Sequence, residues 1–271
     1  MSNPPESPAV QVASASEPSA SSTLKRTARI AEAWAVTGAL IALISGPGNR
    51  MGWWDYRRAF AILGWAAGGG LIAAILSLSV IGWAMKRQVW RPQIVAAIGL
   101  LVGLFTFALP FPLQWRSNGA PPIHDITTDP AEPPEFRVLV AARTGVPNGV
   151  AYGGPAVAAA QQKAYPDITP LTLAAQPEVA LHQCLQVAHA MGWDVAEGSV
   201  SPLGFEATDT TLFFGFRDDI IVRLAPVGAA GKATRIDVRS VSRVGRSDRG
   251  VNARRIRDFF RLLSRSPIKA Q

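Results

Sequence analysis

The sequence of 271 residues has one cysteine, Cys184, and three histidines. A single cysteine excludes an internal disulfide framework and a cysteine-based zinc site. His182 and His189 are seven residues apart, or about 10 Å along a helix, so they cannot ligate one metal ion together. The motifs G-x-S-x-G and H-E-x-x-H and a phosphate-cradling glycine loop are also absent. We therefore predict no metal and no cofactor, and the indications of an enzyme are weak.

Charged residues are scarce between residues 30 and 113, where they occur in short clusters. Three apolar stretches here approach or exceed the length needed to cross a hydrocarbon core of about 30 Å. We predict transmembrane spans at about 30–47, 60–85 and 94–113. A cleaved signal peptide is the alternative for the first stretch, but Gly46-Pro47-Gly48-Asn49 does not resemble an A-x-A cleavage site, which favours an uncleaved span. The second span contains Gly68-Gly69-Gly70, and such small residues let neighbouring helices approach closely.

The formal net charge is +8. Much of the excess flanks the spans, where topology rather than nucleic-acid binding explains it. Six basic residues precede the first span or separate the second from the third, and four lie in the segments on the opposite side. The first group is Lys25, Arg26, Arg29, Lys86, Arg87 and Arg91, and the second is Arg50, Arg57, Arg58 and Arg116. The bias predicts a multi-pass protein of the bacterial inner membrane with a cytoplasmic N-terminus and a periplasmic C-terminal domain.

The rest of the chain predicts a membrane-anchored α+β protein. Residues 1–26 are expected to be a disordered tail, 27–116 the three-helix transmembrane region and 117–271 a soluble domain. Helical periodicity begins at Pro177 and ends at Gly192, and it returns over 252–264. Between these helices we predict four strands, at 194–197, 204–216, 219–225 and 234–244. The order helix, four strands, helix indicates a mainly antiparallel sheet with both helices on one face, preceded by an irregular N-terminal arm.

The densest polar segment covers residues 235–252, where a strand leads through a glycine-bounded turn into the last helix. Free backbone N–H groups at a helix start and nearby arginines form a natural anion site. The candidate anion or ligand site consists of Arg239, Ser240, Ser242, Arg243, Ser247, Asp248 and Asn252. The alternative, which the pattern favours, is structural: Ser247, Asp248 or Asn252 caps the helix, and Asp237 pairs with a neighbouring arginine.

A second candidate is a polar cluster of His124, Asp125, Asp129, Asp218, Asp219 and Asp237. A histidine beside a carboxylate can act as a general base or a metal ligand, although no second histidine stands at ligand spacing. Asp218 and Asp219 could ligate a hard cation. Because neighbours on a strand point to opposite faces, ion pairing with arginines is the favoured interpretation for these two.

Five motifs in order resemble one bacterial family of unknown function, DUF1499. They are Pro121-Pro-Ile-His-Asp-Ile-Thr-Thr-Asp129, Ala164-Tyr-Pro-Asp-Ile-Thr-Pro170, Met191-Gly-Trp193, Phe216-Arg-Asp-Asp219, and Asp237-Val-Arg-Ser-Val-Ser-Arg-Val-Gly-Arg-Ser-Asp248 with Asn252-Ala-Arg-Arg-Ile256. The resemblance covers about residues 121–263 and leaves out the spans. It implies that the polar motifs belong to a shared domain plan, but it implies no activity, substrate or catalytic residue.

Three functional hypotheses remain from the sequence. The first is a non-enzymatic envelope protein whose periplasmic module binds an anionic ligand, a lipid headgroup or a protein partner. The second is a membrane-bound, hydrolase-like enzyme that uses the His, Asp, Arg and Ser cluster, and the third is a structural or assembly factor without a small-molecule site. The expected partners are membrane lipids and another membrane protein, and no nucleic acid. An open cleft would favour the enzyme, whereas mutually paired, closed side chains would favour a structural role.

Overall fold

The computed structural model describes residues 20–112, 119–228 and 232–265. The chain forms two compact units. The first contains the described residues up to Ala42 together with Leu63–Ala108, and the second contains Leu43–Ile62 and the chain from Leu109 onward.

Three long helices occupy the apolar half of the chain: α1 (Ala20–Arg50), α2 (Tyr56–Lys86) and α3 (Trp90–Ala108). By length and composition all three can cross a membrane, over Ser22–Arg50, Tyr56–Lys86 and Trp90–Ala108. Three apolar helices were therefore predicted correctly, although the boundaries differ. Residues 20–26 of the predicted tail are helical, whereas residues 1–19 and the end of the predicted third span at residue 113 lie outside the described residues.

Helix α1 continues three residues beyond Pro47, where the predicted first span ends. A proline cannot donate to the carbonyl group four residues before it, but the carbonyl groups of the last turn, from Pro47 onward, still find donors in the residues that follow. Met51 N donates to the Pro47 carbonyl at 2.9 Å and Trp53 N to the Gly48 carbonyl at 2.8 Å. Gly52, at φ +75°, then turns the chain out of the helix, as a glycine at this position commonly does.

Helices α2 and α3 pack closely where each carries a glycine. A Cβ atom at Gly70 would lie 2.7 Å from the Gly103 carbonyl oxygen, and one at Gly103 would lie 2.6 Å from the Gly70 carbonyl oxygen. Gly68 of the same triplet has no atom within 4 Å of its Cβ position. The triplet is therefore not uniform, because the backbone approach requires glycine at position 70 and not at position 68.

This difference predicts opposite effects for two matched substitutions. Gly70→Ala should lower the free energy of unfolding by roughly 1–3 kcal/mol, since the added methyl group overpacks a backbone contact. Gly68→Ala should be neutral or stabilising, because alanine is favoured over glycine in a helix by about 1 kcal/mol. Denaturation of the full chain in detergent micelles, followed by circular dichroism, measures both. Equal midpoints for the two variants would contradict this packing.

The second half of the chain folds around one antiparallel sheet. Its strands are β1 (Asp125–Thr127), β2 (Leu171–Leu173), β3 (Asp194–Val195), β4 (Gly204–Thr210), β5 (Arg217–Val227) and β6 (Ala233–Ser242). Its helices are α4 (Gly154–Ala164), α5 (Pro177–Ala190) and α6 (Val251–Arg265). The order across the sheet is β1-β6-β5-β4-β3, and β2 pairs with β6 beside β1.

The sheet has six strands, so the prediction of four is wrong. One additional strand, β1, lies in the arm predicted to be irregular, which also contains α4, and the other, β2, directly follows that arm. Asp125 is opposite Val241 and Leu171 is opposite Ile236, so both strands use one edge of β6. Each has three residues, which is too short for a periodic pattern, and pairing with a distant strand is what makes them extended.

Helices α5 and α6 pack on one face of the sheet, as predicted. The apolar core there includes Ile220 and Val222 of β5, Ile236 and Val238 of β6, and Ile256 of α6. Trp193 stacks on Phe259 with ring centroids 5.0 Å apart. Cys184 is a buried residue of this core, and burial raises the pKa of its thiol to about 12. Since the neutral thiol is the inert form, Cys184 is a packing residue.

Candidate functional site

The opposite face of the sheet is polar, although it too is buried. Because alternate residues of a strand point the same way, the residues between the apolar core positions of β4, β5 and β6 face away from the helices. They include Glu206, Asp219, Arg223, Asp237 and Arg239. A covering segment, residues 129–152, supplies partners to this face, including Arg143 of a short 3₁₀ helix (Ala141–Arg143).

Arg239 and Asp125 form a bidentate ion pair in this layer. Arg239 Nε lies 3.0 Å from Asp125 Oδ1 and Nη2 lies 2.7 Å from Oδ2. The guanidinium also donates to the carbonyl groups of Pro134 and Val150, both at 2.9 Å, so it fastens the covering segment to the sheet. Only 1% of Arg239 is exposed. Four of its five N–H donors therefore serve the fold.

Asp219 is the centre of a second buried group. Its carboxylate accepts from Arg143 Nη1 at 2.6 Å, from Arg243 Nη2 at 2.8 Å and from the hydroxyl group of Thr208 at 2.8 Å. Burial by itself raises the pKa of Asp219, but the hydrogen bonds from Arg243, Thr208 and Arg143 outweigh it, and the pKa lies below its usual value of 3.8. Asp219 is thus charged at neutral pH and surrounded by its own counterions.

Asp237 and Asp129 share two arginines at the far end of this face. Arg223 Nη2 lies 3.0 Å from a carboxylate oxygen of each, and Arg235 Nη2 lies 2.8 Å from Asp129 and 3.1 Å from Asp237. Burial raises the pKa of Asp129, but the Glu132 backbone N–H and both arginines lower it further, so its net pKa is below the usual value. The sequence pattern favoured pairing of Asp237 with a neighbouring arginine, and its partners are Arg223 and Arg235.

Asp218 lies on the helix face and belongs to a separate network. Its carboxylate accepts from Arg255 Nη2 at 2.6 Å, and the same arginine pairs with Asp209 at 2.8 Å. Arg255 Nη1 also donates to the Ser240 hydroxyl group at 3.0 Å and to the side-chain carbonyl oxygen of Asn252. Asp218 and Asp219 therefore point to opposite faces and pair with different arginines, as the strand geometry predicts.

Asn252 connects the first turn of α6 to the sheet. Its side-chain nitrogen donates to the His124 carbonyl oxygen at 3.0 Å and to the Ser242 hydroxyl group at 3.1 Å, while its oxygen accepts from Ser240 at 2.7 Å. What His124 contributes to this network is its backbone carbonyl group, which also accepts from Ser242 N at 3.0 Å. His124, the candidate general base, thus contributes a main-chain group to this network.

The start of α6 was a candidate anion site, with helix capping as the favoured alternative, and the chain's own carboxylate lies there. Asp248 accepts from the backbone N–H groups of Gly250 and Asn252, each at 2.9 Å. Ser247 accepts from Arg249 N at 3.1 Å and donates to the Pro121 carbonyl oxygen at 3.0 Å. Burial raises the pKa of Asp248 above its usual value, although the two N–H groups oppose this. Capping therefore accounts for Ser247 and Asp248.

The predicted residues thus do not converge on one site. Arg239 and Arg243 of the anion-site set lie on the polar face, whereas Ser240, Ser242 and Asn252 lie on the helix face. A cavity of about 290 Å³ borders Arg239, and its wall includes Phe136 and Tyr152. Burial, and next the charge of Asp125, raises the pKa of Tyr152 to about 12, so the phenol stays protonated. Within the described ranges, no three His, Cys, Asp or Glu side chains are grouped to hold a metal ion.

Three residues that belong to these networks were missed by the sequence reasoning. Glu206 accepts four backbone N–H contacts from residues 137–139, at 2.6 to 3.2 Å, and so fixes the covering segment over β4. Its alternation with Phe205 and Ala207 was a usable signal. Arg255 was obscured by its position in a basic helix, and Arg143 lies in a segment without any periodic pattern.

The described residues define a class of protein. The chain has an α+β domain and three helices that are apolar and long enough to span a membrane. The family model for "Protein of unknown function (DUF1499)" matches residues 125–263, just over half of the chain. The chain therefore belongs to the DUF1499 family, as its motifs indicated. No curated protein and no solved structure matches the chain.

The buried groups predict a large stability difference between two conservative substitutions. Asp219→Asn should lower the free energy of unfolding by about 3 kcal/mol or more, since it leaves buried arginines without their counterion. Asp167→Asn removes half of an exposed pair with Arg257, whose side chains are 54% and 42% exposed, and should cost less than about 1 kcal/mol. Chemical denaturation of the full chain in detergent micelles compares the two.

The pH dependence of the same experiment has a defined sign. The pKa of Asp219 in the folded protein is lower than its usual 3.8. Its charge therefore stabilises the fold above the unfolded-state pKa, and this contribution disappears as the pH falls through the folded-state pKa. The difference in the free energy of unfolding between the native protein and Asp219→Asn should be fully present at neutral pH and should decrease below about pH 4. A difference that does not change with pH would contradict the ionic role.

Proposed function

We propose that this protein is a non-catalytic, membrane-anchored module of the bacterial envelope, which acts through the surface of a rigid periplasmic domain. The observation that supports this most directly is the saturation of the buried carboxylates. Asp125, Asp218, Asp219 and Asp237 are each at most 4% exposed, and each accepts from at least one arginine. A general acid or base must reach the proton that it transfers.

The energetics point the same way. The arginines around Asp219 hold its pKa below the usual value, so this carboxylate has no proton to donate at neutral pH and is a weak base. Opening the network to admit a substrate would leave buried charges unpaired, at a cost of about 3–5 kcal/mol for each pair broken. A structural role for these residues needs no such opening. This supports a scaffold or assembly role over the hydrolase-like alternative.

The proposed topology has the N-terminus in the cytoplasm and the domain in the periplasm. The basic residues support this orientation, and contacts in the second unit support the number of spans. With three spans, the connection between α1 and α2 must lie on the same side as everything after α3. In the second unit, Asn49 Nδ2 at the end of α1 lies 2.6 Å from the Phe214 carbonyl oxygen, and Arg50 Nη1 lies 2.8 Å from that of Leu212. These contacts agree with an odd number of spans. Membrane lipids and a membrane-protein partner remain the partners that we propose.

Carboxyl footprinting separates the scaffold from an enzyme. The full chain in detergent micelles is treated with a water-soluble carbodiimide and an amine, and the modified residues are identified by mass spectrometry. Asp167 and Glu135, which are exposed, should react. Asp125, Asp219 and Asp237 should stay unmodified. If Asp125 or Asp219 reacts as fast as Asp167, the network is open to reagents and the non-catalytic proposal is wrong.

Thiol labelling in intact cells checks the topology. Cys184 is buried and stays unreactive, so an introduced cysteine reports by itself. Gln162→Cys on the exposed side of α4 should react with a membrane-impermeant maleimide, whereas Gln88→Cys in the turn between α2 and α3 should react only after the cells are lysed. The reverse pattern would overturn the proposed orientation.

A further inference from the structure

We propose that the loop between β4 and β5, residues 211–216, is a lipid-docking loop that seats the folded domain on the bilayer that the helices cross. This inference rests on the proposed function, because it requires the apolar helices to be in a membrane. The loop reads Thr-Leu-Phe-Phe-Gly-Phe and connects two strands whose sheet is otherwise rich in ion pairs. The occupant to which we commit is the lipid surface.

The backbone groups of the loop are largely hydrogen-bonded. Thr211 N donates to the Phe216 carbonyl group at 2.9 Å, Gly215 N donates to that of Thr211 at 3.0 Å, and Phe216 N donates to the Thr211 hydroxyl group at 2.8 Å. The carbonyl groups of Leu212 and Phe214 accept from Arg50 and Asn49. Satisfied backbone groups are a condition for entering a region poor in water, and this loop meets it at four carbonyl groups.

The same contacts place the loop at the end of an apolar helix. Phe213 packs against Gly46 so closely that a Cβ atom at Gly46 would overlap its ring. Gly46 lies four residues before the end of α1 at Arg50, which is about 6 Å along the helix axis. Phe213 is therefore level with the last turn of a candidate span. The candidate span has 29 residues and is about 43 Å long, which exceeds the hydrocarbon core of about 30 Å. A side chain at the level of its last turn therefore lies in the headgroup region when α1 crosses a bilayer.

The outer surface of this junction is apolar. Leu212 is 87% exposed, the highest value among the large hydrophobic side chains in the described part of the chain. Met51 and Trp53, in the connection from α1 to α2, are also exposed. Behind them Phe214 and Phe216 stack at 5.5 Å and both contact Phe60. A single exposed leucine is not by itself evidence of a binding surface. Leu212, however, belongs to an apolar patch that contacts the end of a candidate span.

Basic side chains border the patch, which suits lipid phosphates. Arg57 lies over the ring of Tyr56, and Tyr56 contacts Phe216 with centroids 6.2 Å apart. Arg217 follows the loop directly and is exposed, as are Arg57 and Arg58. An apolar tip with a basic border is the arrangement of interfacial membrane anchors. A protein partner would have to cover the same patch at the level of the last turn of α1, where the bilayer already lies.

Site-directed spin labelling of the full chain in lipid nanodiscs tests the proposal. Leu212→Cys is compared with Leu203→Cys, which is also an exposed leucine, at 61%. Leu203 precedes the seven-residue strand β4 and Leu212 follows it, so the two are roughly 23 Å or more apart at opposite ends of the strand. Ile75→Cys, exposed in the middle of α2, serves as the lipid reference. Collisions with dissolved oxygen report lipid, and collisions with a nickel chelate report water.

The label at position 212 should shift from the behaviour of position 203 towards that of position 75, with more oxygen collisions and several-fold fewer nickel collisions than at position 203. If position 212 behaves like position 203 while position 75 remains in lipid, the docking loop is wrong and the membrane anchoring stands. If the nickel chelate reaches position 75 as well, the proposed membrane anchoring and the docking loop are both wrong. If position 212 is shielded from both reagents, protein rather than lipid covers the loop, which also overturns the proposal.

Discussion

The domain depends on the solution to one electrostatic problem, namely the burial of the Arg239 guanidinium in the middle of a sheet. An unpaired charge there would be prohibitively costly, because burial removes its hydration. Asp125 neutralises it with two hydrogen bonds, at 3.0 and 2.7 Å. Two carbonyl groups of the covering segment accept from two further N–H donors. The main effect of the pair is therefore on the specificity of the fold and less on its stability. It requires β1 to lie beside β6 and residues 134–150 to cross the sheet in one way.

The other polar groups repeat this arrangement around it. Asp219 joins β5 to Arg143 of the covering segment, Glu206 receives the backbone of residues 137–139, and Arg255 joins α6 to the helix face through Asp218. A sheet that is covered on both faces, by apolar helices on one and by charged partners on the other, has few ways to open. We propose that the protein acts through its surface, where the loop of residues 211–216 hydrogen-bonds to the end of α1.

Sequence reasoning identified the elements with strong periodicity. The three apolar helices, the helices at Pro177–Ala190 and Val251–Arg265 and the long hairpin strands were all recognisable. The motifs also indicated the DUF1499 family. The sequence patterns did not predict β1 and β2, because three residues are too few to show a period. They also led us to extend β4 through residues 211–216, because aromatic residues favour strands. Sequence reasoning selected most of the acidic network members but could not tell a ligand site from an ion-pair network, since both use Arg, Asp and Ser.

The sequence by itself determined that this chain has a long apolar half and a polar, folded half, since local hydropathy and periodicity need no knowledge of distant contacts. It also determined that Asp218 and Asp219 face opposite ways, because the pleat of a strand has a period of two. Only the tertiary structure decided which arginine each carboxylate meets. Asp125 and Arg239 are 114 residues apart in the chain, and their pairing follows from how the strands assemble. That assembly pairs Arg239 and Arg243 of the candidate ligand site with Asp125 and Asp219 of the same chain.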